Sequence, residues 1–152
     1  MTAHIRAALQ KVNKPFPGQP VHLAGFGSGA DALLAAAGSV KKIDRVLIAS
    51  GDFHPARTTN WAGYKHAVML LHAPYAQCDT WPNLEVELVA HKSQFALVQV
   101  GYSQTVYNPG CGLGRKNSFA KLEVELATSA AQWLDGATAP AGCGQSGAHR
   151  DE

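Results

Sequence analysis

The sequence predicts an α/β protein: three layers, with a mostly parallel sheet of about four strands and helices on both faces. Three observations lead there. Short apolar runs alternate with stretches of helical periodicity, no pair of runs is joined by a hairpin turn signal, and the runs between Ile43 and Val100 are apolar enough to be buried on both sides. With 152 residues and 46% hydrophobic content, the chain fits one domain, expected over residues 1–136.

Ile5, Ala8, Leu9 and Val12 recur at helical spacing and form a first amphipathic helix, which Pro15 and Pro17 end. Val21–Phe26 is the first strand. The alanine-rich stretch Ala30–Ala37 is a helix with Gly38 as its stop, and Ile43–Ser50 (IDRVLIAS) is the second strand. Gly51–Arg57 has loop composition, Trp61–His66 suits a short helix, and Ala67–His72 (AVMLLH) is a third strand. For the next segment two patterns compete. Asp79 or Thr80 would cap a helix with Trp81, Leu84 and Leu88 on one face, yet Leu84, Val86, Leu88 and Ala90 also alternate as in a strand. Phe95–Val100 is the fourth strand, followed by a glycine-rich loop, Gly101–Arg115. Phe119, Leu122, Leu126, Ala130, Trp133 and Leu134 make the apolar stripe of a last helix, stopped by Gly136. Residues 137–152 read as a flexible tail. The segments LEVELVA (Leu84–Ala90) and LEVELAT (Leu122–Thr128) look alike, but their surroundings do not repeat.

Charge and motif content exclude several classes. Charged residues are 16% of the chain, the formal net charge is +2, and the basic residues are scattered, so no nucleic-acid footprint is present. No apolar run approaches the length of about 20 residues that a membrane span needs, and Met1–Leu9 lacks a signal-peptide core. The default expectation is therefore a cytoplasmic chain without membrane contact. Cys78, Cys111 and Cys143 have no zinc-type spacing, and the step from His66 to His72 matches no helical metal face, so neither a metal nor another cofactor is expected.

The chemistry concentrates on the turn after the first strand, Gly25-Phe26-Gly27-Ser28-Gly29-Ala30. It satisfies G-x-G-x-x-A between strand and helix, the pattern whose amides cradle a dinucleotide pyrophosphate, with Asp52 placed to reach a ribose. A second mononucleotide-binding half is missing. It also satisfies the frame of the nucleophile elbow, G-x-S-x-G, with Gly27 in the nucleophile's place. Either template makes Gly25, Gly27, Ser28 and Gly29 the candidate ligand-binding residues.

From this point the chain resembles the α/β-hydrolase family, over its later half from the elbow to the last helix, about residues 5–136. The strand ending Leu71-His72-Ala73-Pro74-Tyr75-Ala76-Gln77-Cys78 looks like the segment that presents the triad acid. Asn108-Pro109-Gly110-Cys111-Gly112 and Asn117-Ser118-Phe119 look like the histidine segment of an esterase-like branch. Carried over residue by residue, the resemblance puts Gly27 at the nucleophile, Ala76 at the acid and Asn117 at the histidine. All three roles are vacant, because none of these side chains supplies a nucleophile, an orienting carboxylate or a base. The implied function is a pseudoenzyme, a non-catalytic hydrolase-like module acting in assembly or in ligand or partner binding. The alternative is a small esterase-type serine hydrolase that uses Ser28, or groups from a partner, with His54, His66, His72 or His91 as base and Asp52 or Asp79 as orienter. Ser28 stands one position late for that, where its hydroxyl would cap the helix. A weaker alternative is a dinucleotide-binding protein.

The resemblance also implies a Cys78–Cys111 disulfide tying the acid loop to the histidine loop, which would contribute about 3 kcal/mol in an oxidising compartment and would fit a secreted protein. In the resembling fold the elbow strand is internal, with earlier strands beside it and an oxyanion-hole loop supplied from them. Only a helix precedes Val21–Phe26 here, so this strand is expected at a sheet edge, open to a second copy or a partner chain, and the oxyanion hole is expected to be lacking. Trp61, Tyr64, Tyr75 and Trp81 are available as aromatic anchors for such a partner.

Overall fold

The computed structural model describes residues 2–37, 43–49, 66–72, 83–100, 122–140 and 142–143. The first helix, α1, spans Thr2–Asn13. Leu9 is buried and Ile5 packs partly against the same core, while Val12, expected on that stripe, is 47% exposed. Strand β1 (His22–Phe26) leads into helix α2 (Ser28–Ala37), which starts two residues earlier than the alanine run suggests. Strand β2 is Arg45–Ala49 and strand β3 is Ala67–His72. Helix α3 (Asn83–Ser93), strand β4 (Ala96–Val100) and helix α4 (Glu123–Leu134) follow.

The strands pair in chain order, β1-β2-β3-β4, and every pair is parallel. The register is continuous across the first three strands: Gly25 stands beside Ile48, Ile48 beside Leu70, and Phe26 beside Ala49. Parallel pairing follows from composition. In β2 and β3 both side-chain faces are apolar, so each strand needs cover above and below, and only crossovers that carry helices to the faces provide it.

Two buried clusters fill the two sides of this sheet. On one, Val46 and Ile48 of β2 and Val68 and Leu70 of β3 meet Leu9 of α1, Ala30, Leu33 and Leu34 of α2, and Val86 and Ala90 of α3. On the other, Ala49, Met69, Leu71, Val98 and Val100 meet Leu126, Ala130 and Trp133 of α4. The α/β architecture with helices on both faces is thus present, with three of the described helices on one side and one on the other.

The segment with two competing patterns is a helix. Val86 and Ala90, four apart, are buried, whereas Leu88, expected on the packed face, is 48% exposed; Trp81 and the side chain of Leu84 lie outside the described residues. The end of α4 is fixed twice. Gly136 has φ +109°, and its N–H reaches the Trp133 carbonyl at 3.0 Å while the Ala137 N–H reaches Gln132 at 2.9 Å, the paired bonds of a Schellman stop. From β2, the Arg45 guanidinium donates to the same Trp133 carbonyl at 2.7 Å and lies 4.9 Å from the Trp133 ring centroid. A cation is thereby held at the negative end of the helix dipole.

Within the stretch expected as a flexible tail, two residues extend the sheet. Gly142–Cys143, strand β5, pairs with Gln99 and Val100 of β4, and Ala139 packs against the α4 side of the core. The connections β1-α2-β2 and β3-α3-β4 cross the sheet in one direction with their helices on one face. β4-α4-β5 moves in the same direction with its helix on the other face, so it has the opposite hand. Among the described residues, no helix is long and apolar enough to cross a membrane.

Candidate functional site

The turn between β1 and α2 sits at the carboxyl end of the sheet, the side on which open parallel sheets place their sites. The Gly27 N–H donates to the Ala49 carbonyl at 3.0 Å, so the turn is tied to the end of β2. The Gly27 carbonyl then accepts from Ala30 N–H at 2.9 Å and Asp31 N–H at 3.4 Å, the first bonds of α2. Gly27 is therefore the cap residue of the helix, with φ +56°. A side chain at this position would have to adopt a left-handed backbone.

The approach of helix to strand is closest at Gly25. A Cβ there would stand 2.7 Å from the Gly29 carbonyl oxygen, 2.8 Å from Ala30 Cα and 2.9 Å from Ala30 N. Backbone meets backbone, and no larger residue fits without moving α2. A Cβ on Gly29, by contrast, would meet nothing within 4 Å. The two outer glycines of the turn thus play different parts: Gly25 permits the contact and Gly29 supplies the carbonyl that makes it.

Ser28 is the first residue of α2 and is exposed. Its position is inside the helix, one past the cap, so the expected role as a side-chain cap does not hold. The Gly27 backbone fills it.

Of the four candidate bases, three are described. His72 is the last residue of β3, 2% exposed, in register with Gln99 of β4, whose side-chain amide donates to Glu87 of α3 at 2.9 Å. Strand β2 separates β1 from β3, a backbone spacing of about 10 Å. An exposed serine on α2 and a buried histidine two strands away do not form a nucleophile and base pair. His66 precedes β3 at the opposite end of the sheet and donates Nδ1–H to the Ile43 carbonyl at 2.9 Å. His91 is exposed near the end of α3.

His54, Asp52, Ala76, Cys78, Asp79, Cys111 and Asn117 lie outside the described residues, as do the aromatic anchors Trp61, Tyr64, Tyr75 and Trp81. Among the described residues, no group of three His, Cys, Asp or Glu side chains is placed to hold a metal. The sequence placed Gly25 among the candidate ligand-binding residues without marking it as the point of closest helix–strand approach, and it did not single out Arg45. Only the folded contacts reveal these roles: Gly25 meets the backbone of Gly29 and Ala30, and Arg45 reaches Trp133 in a distant helix.

Among the described residues, β1 pairs with β2 alone. Cover by α4 stops short of it: Ala24 is exposed and Phe26 is 49% exposed, on the face that Leu47 and Ala49 of β2 present to α4.

In comparisons with known proteins, no family model, no curated protein and no solved structure matches the chain.

Proposed function

We propose that the chain is a non-catalytic α/β-hydrolase-like module whose β1 edge serves assembly with a second copy or a partner chain. The observation that carries the first half is Gly27. It occupies the apex of a strand-turn-helix elbow at φ +56°, flanked by Gly25 and Gly29 in mutual contact, and offers backbone where a hydrolase needs an oxygen nucleophile. The next residue, Ser28, is exposed in the first turn of a helix and belongs to a different element from the buried His72. Vacancies at Ala76 and Asn117, read from the resemblance, agree with this.

A fluorophosphonate probe and a panel of short-chain nitrophenyl esters test the reading together. The expected result is neither labelling nor turnover above the Ser28→Ala background. Serine-dependent labelling that Ser28→Ala abolishes would establish the hydrolase alternative. Saturable quenching of tryptophan fluorescence by NAD or NADP, lost in Gly27→Val, would establish dinucleotide binding.

A further inference from the structure

The last strand is held more weakly than the structure around it. β5 pairs with β4 at two positions, Gly142 beside Gln99 and Cys143 beside Val100, at the carboxyl end of the sheet. β1 with β2, and β2 with β3, each pair over five. One of the two residues of β5 is glycine, which weakens a strand. The connection that delivers it, β4-α4-β5, also has the hand opposite to β1-α2-β2 and β3-α3-β4. Strand twist favours the right hand in about 98% of such crossovers, so the two that agree follow the twist and β4-α4-β5 runs against it.

We propose that β5 is a strap that opens and closes on the edge of β4 while the rest of the fold stays intact. What confines the opening is the end of α4. Gly136 and Ala137 N–H close that helix on the Trp133 and Gln132 carbonyls, and Arg45 of β2 donates to the same Trp133 carbonyl at 2.7 Å. Trp133 is buried with Ala130 and Leu126 against β2, β3 and β4, and Ala139 packs on the same cluster. The chain is therefore anchored through Ala139 by contacts that do not depend on β5. Beyond it Pro140 brings no N–H, and β5 is held by its short ladder. Releasing β5 costs about what two pairings are worth, whereas releasing α4 costs a core cluster. Successive residues of a strand turn their peptide groups to opposite sides, so of Gln99 and Val100 one faces β3 and the other faces β5. Each opening bares that outward group of β4 to water at the end of the sheet where the β1–α2 turn lies, and each closing covers it.

Native-state hydrogen exchange on the full chain, followed residue by residue at low urea concentrations, separates strap from core. The amides that join β4 to β5 are expected to exchange roughly 10- to 100-fold more slowly than free peptide, at rates that low urea leaves unchanged. The amides of Val46, Ile48 and Leu70 are expected to exchange far more slowly, at rates that rise with urea. If the β4–β5 amides share the slow, urea-dependent exchange of Ile48, β5 opens only with the whole molecule and the proposal is overturned. If they exchange like free peptide, the strap does not close, which overturns it equally. Gly142→Pro and Cys143→Pro each remove one N–H from β5. Both are expected to keep the urea midpoint of the unaltered chain, and one of them to bring the outward β4 amide to the rate of free peptide. A lowered midpoint, or failure to fold, in either variant makes β5 part of the cooperative core and overturns the proposal. None of these outcomes bears on the probe and ester assays, so the non-catalytic reading stands or falls separately.

Discussion

Gly25 and Gly27 are both glycines for reasons that differ, and substitution separates them. At Gly25 an added methyl meets three backbone atoms at 2.7–2.9 Å, so Gly25→Ala must push α2 off β1. The expected loss is about 1–3 kcal/mol, the range for forcing atoms into a packed contact, measured by urea denaturation. At Gly27 the obstacle is the backbone itself, φ +56°, and Gly27→Ser is expected to lower stability by about 1–2 kcal/mol without creating esterase activity. The spacing of glycines in the turn was legible, since a strand, a G-x-G-x-G run and a helix follow one another in the chain. Which glycine is obligatory was not. Gly29 fits the pattern as well as Gly25 does, yet open space surrounds the position of its missing Cβ, and only the packing of α2 reveals the difference.

Among the elements, the strands were the most readable because their burial on both faces leaves continuous apolar runs. β3 occupies the expected residues, Ala67–His72, without adjustment. Helix faces were less readable, and one pair shows why. The pentapeptide LEVEL opens both α3 and α4 segments, but it buries opposite residues: in α3 Val86 is buried and Leu88 is 48% exposed, while in α4 Val124 is 82% exposed and Leu126 is buried. Identical local sequence cannot decide its own face, since the neighbours that choose it are strands far away in the chain. Thermal denaturation can check the assignment. Leu126→Ala is expected to lower stability by about 2–5 kcal/mol, the range for a truncated core leucine, while Leu88→Ala and Val124→Ala stay within about 0.5 kcal/mol. The C-terminal stop of α4 was legible from Gly136 alone, because a positive φ after a helical stripe is a local requirement that glycine meets.

For the whole molecule, the parallel α/β class followed from alternation. The strand Gly142–Cys143 did not, since two residues amid glycine, alanine and serine carry no strand signal and are held by β4 rather than by their own composition. The Arg45 clamp was equally hidden: it joins residues 88 positions apart. Arg45→Met keeps the stem's packing and removes the charged bond to the Trp133 carbonyl, with an expected loss of about 1–2 kcal/mol in urea denaturation. That clamp also bears on time. On one face of the sheet α4 roofs β2, β3 and β4, and its clamp joins residues 88 positions apart, so that lock belongs to the final stage of folding. Stopped-flow kinetics should then find Arg45→Met refolding at the wild-type rate and unfolding about 5- to 30-fold faster, so that the clamp governs how long the roof stays on rather than how quickly the molecule is made.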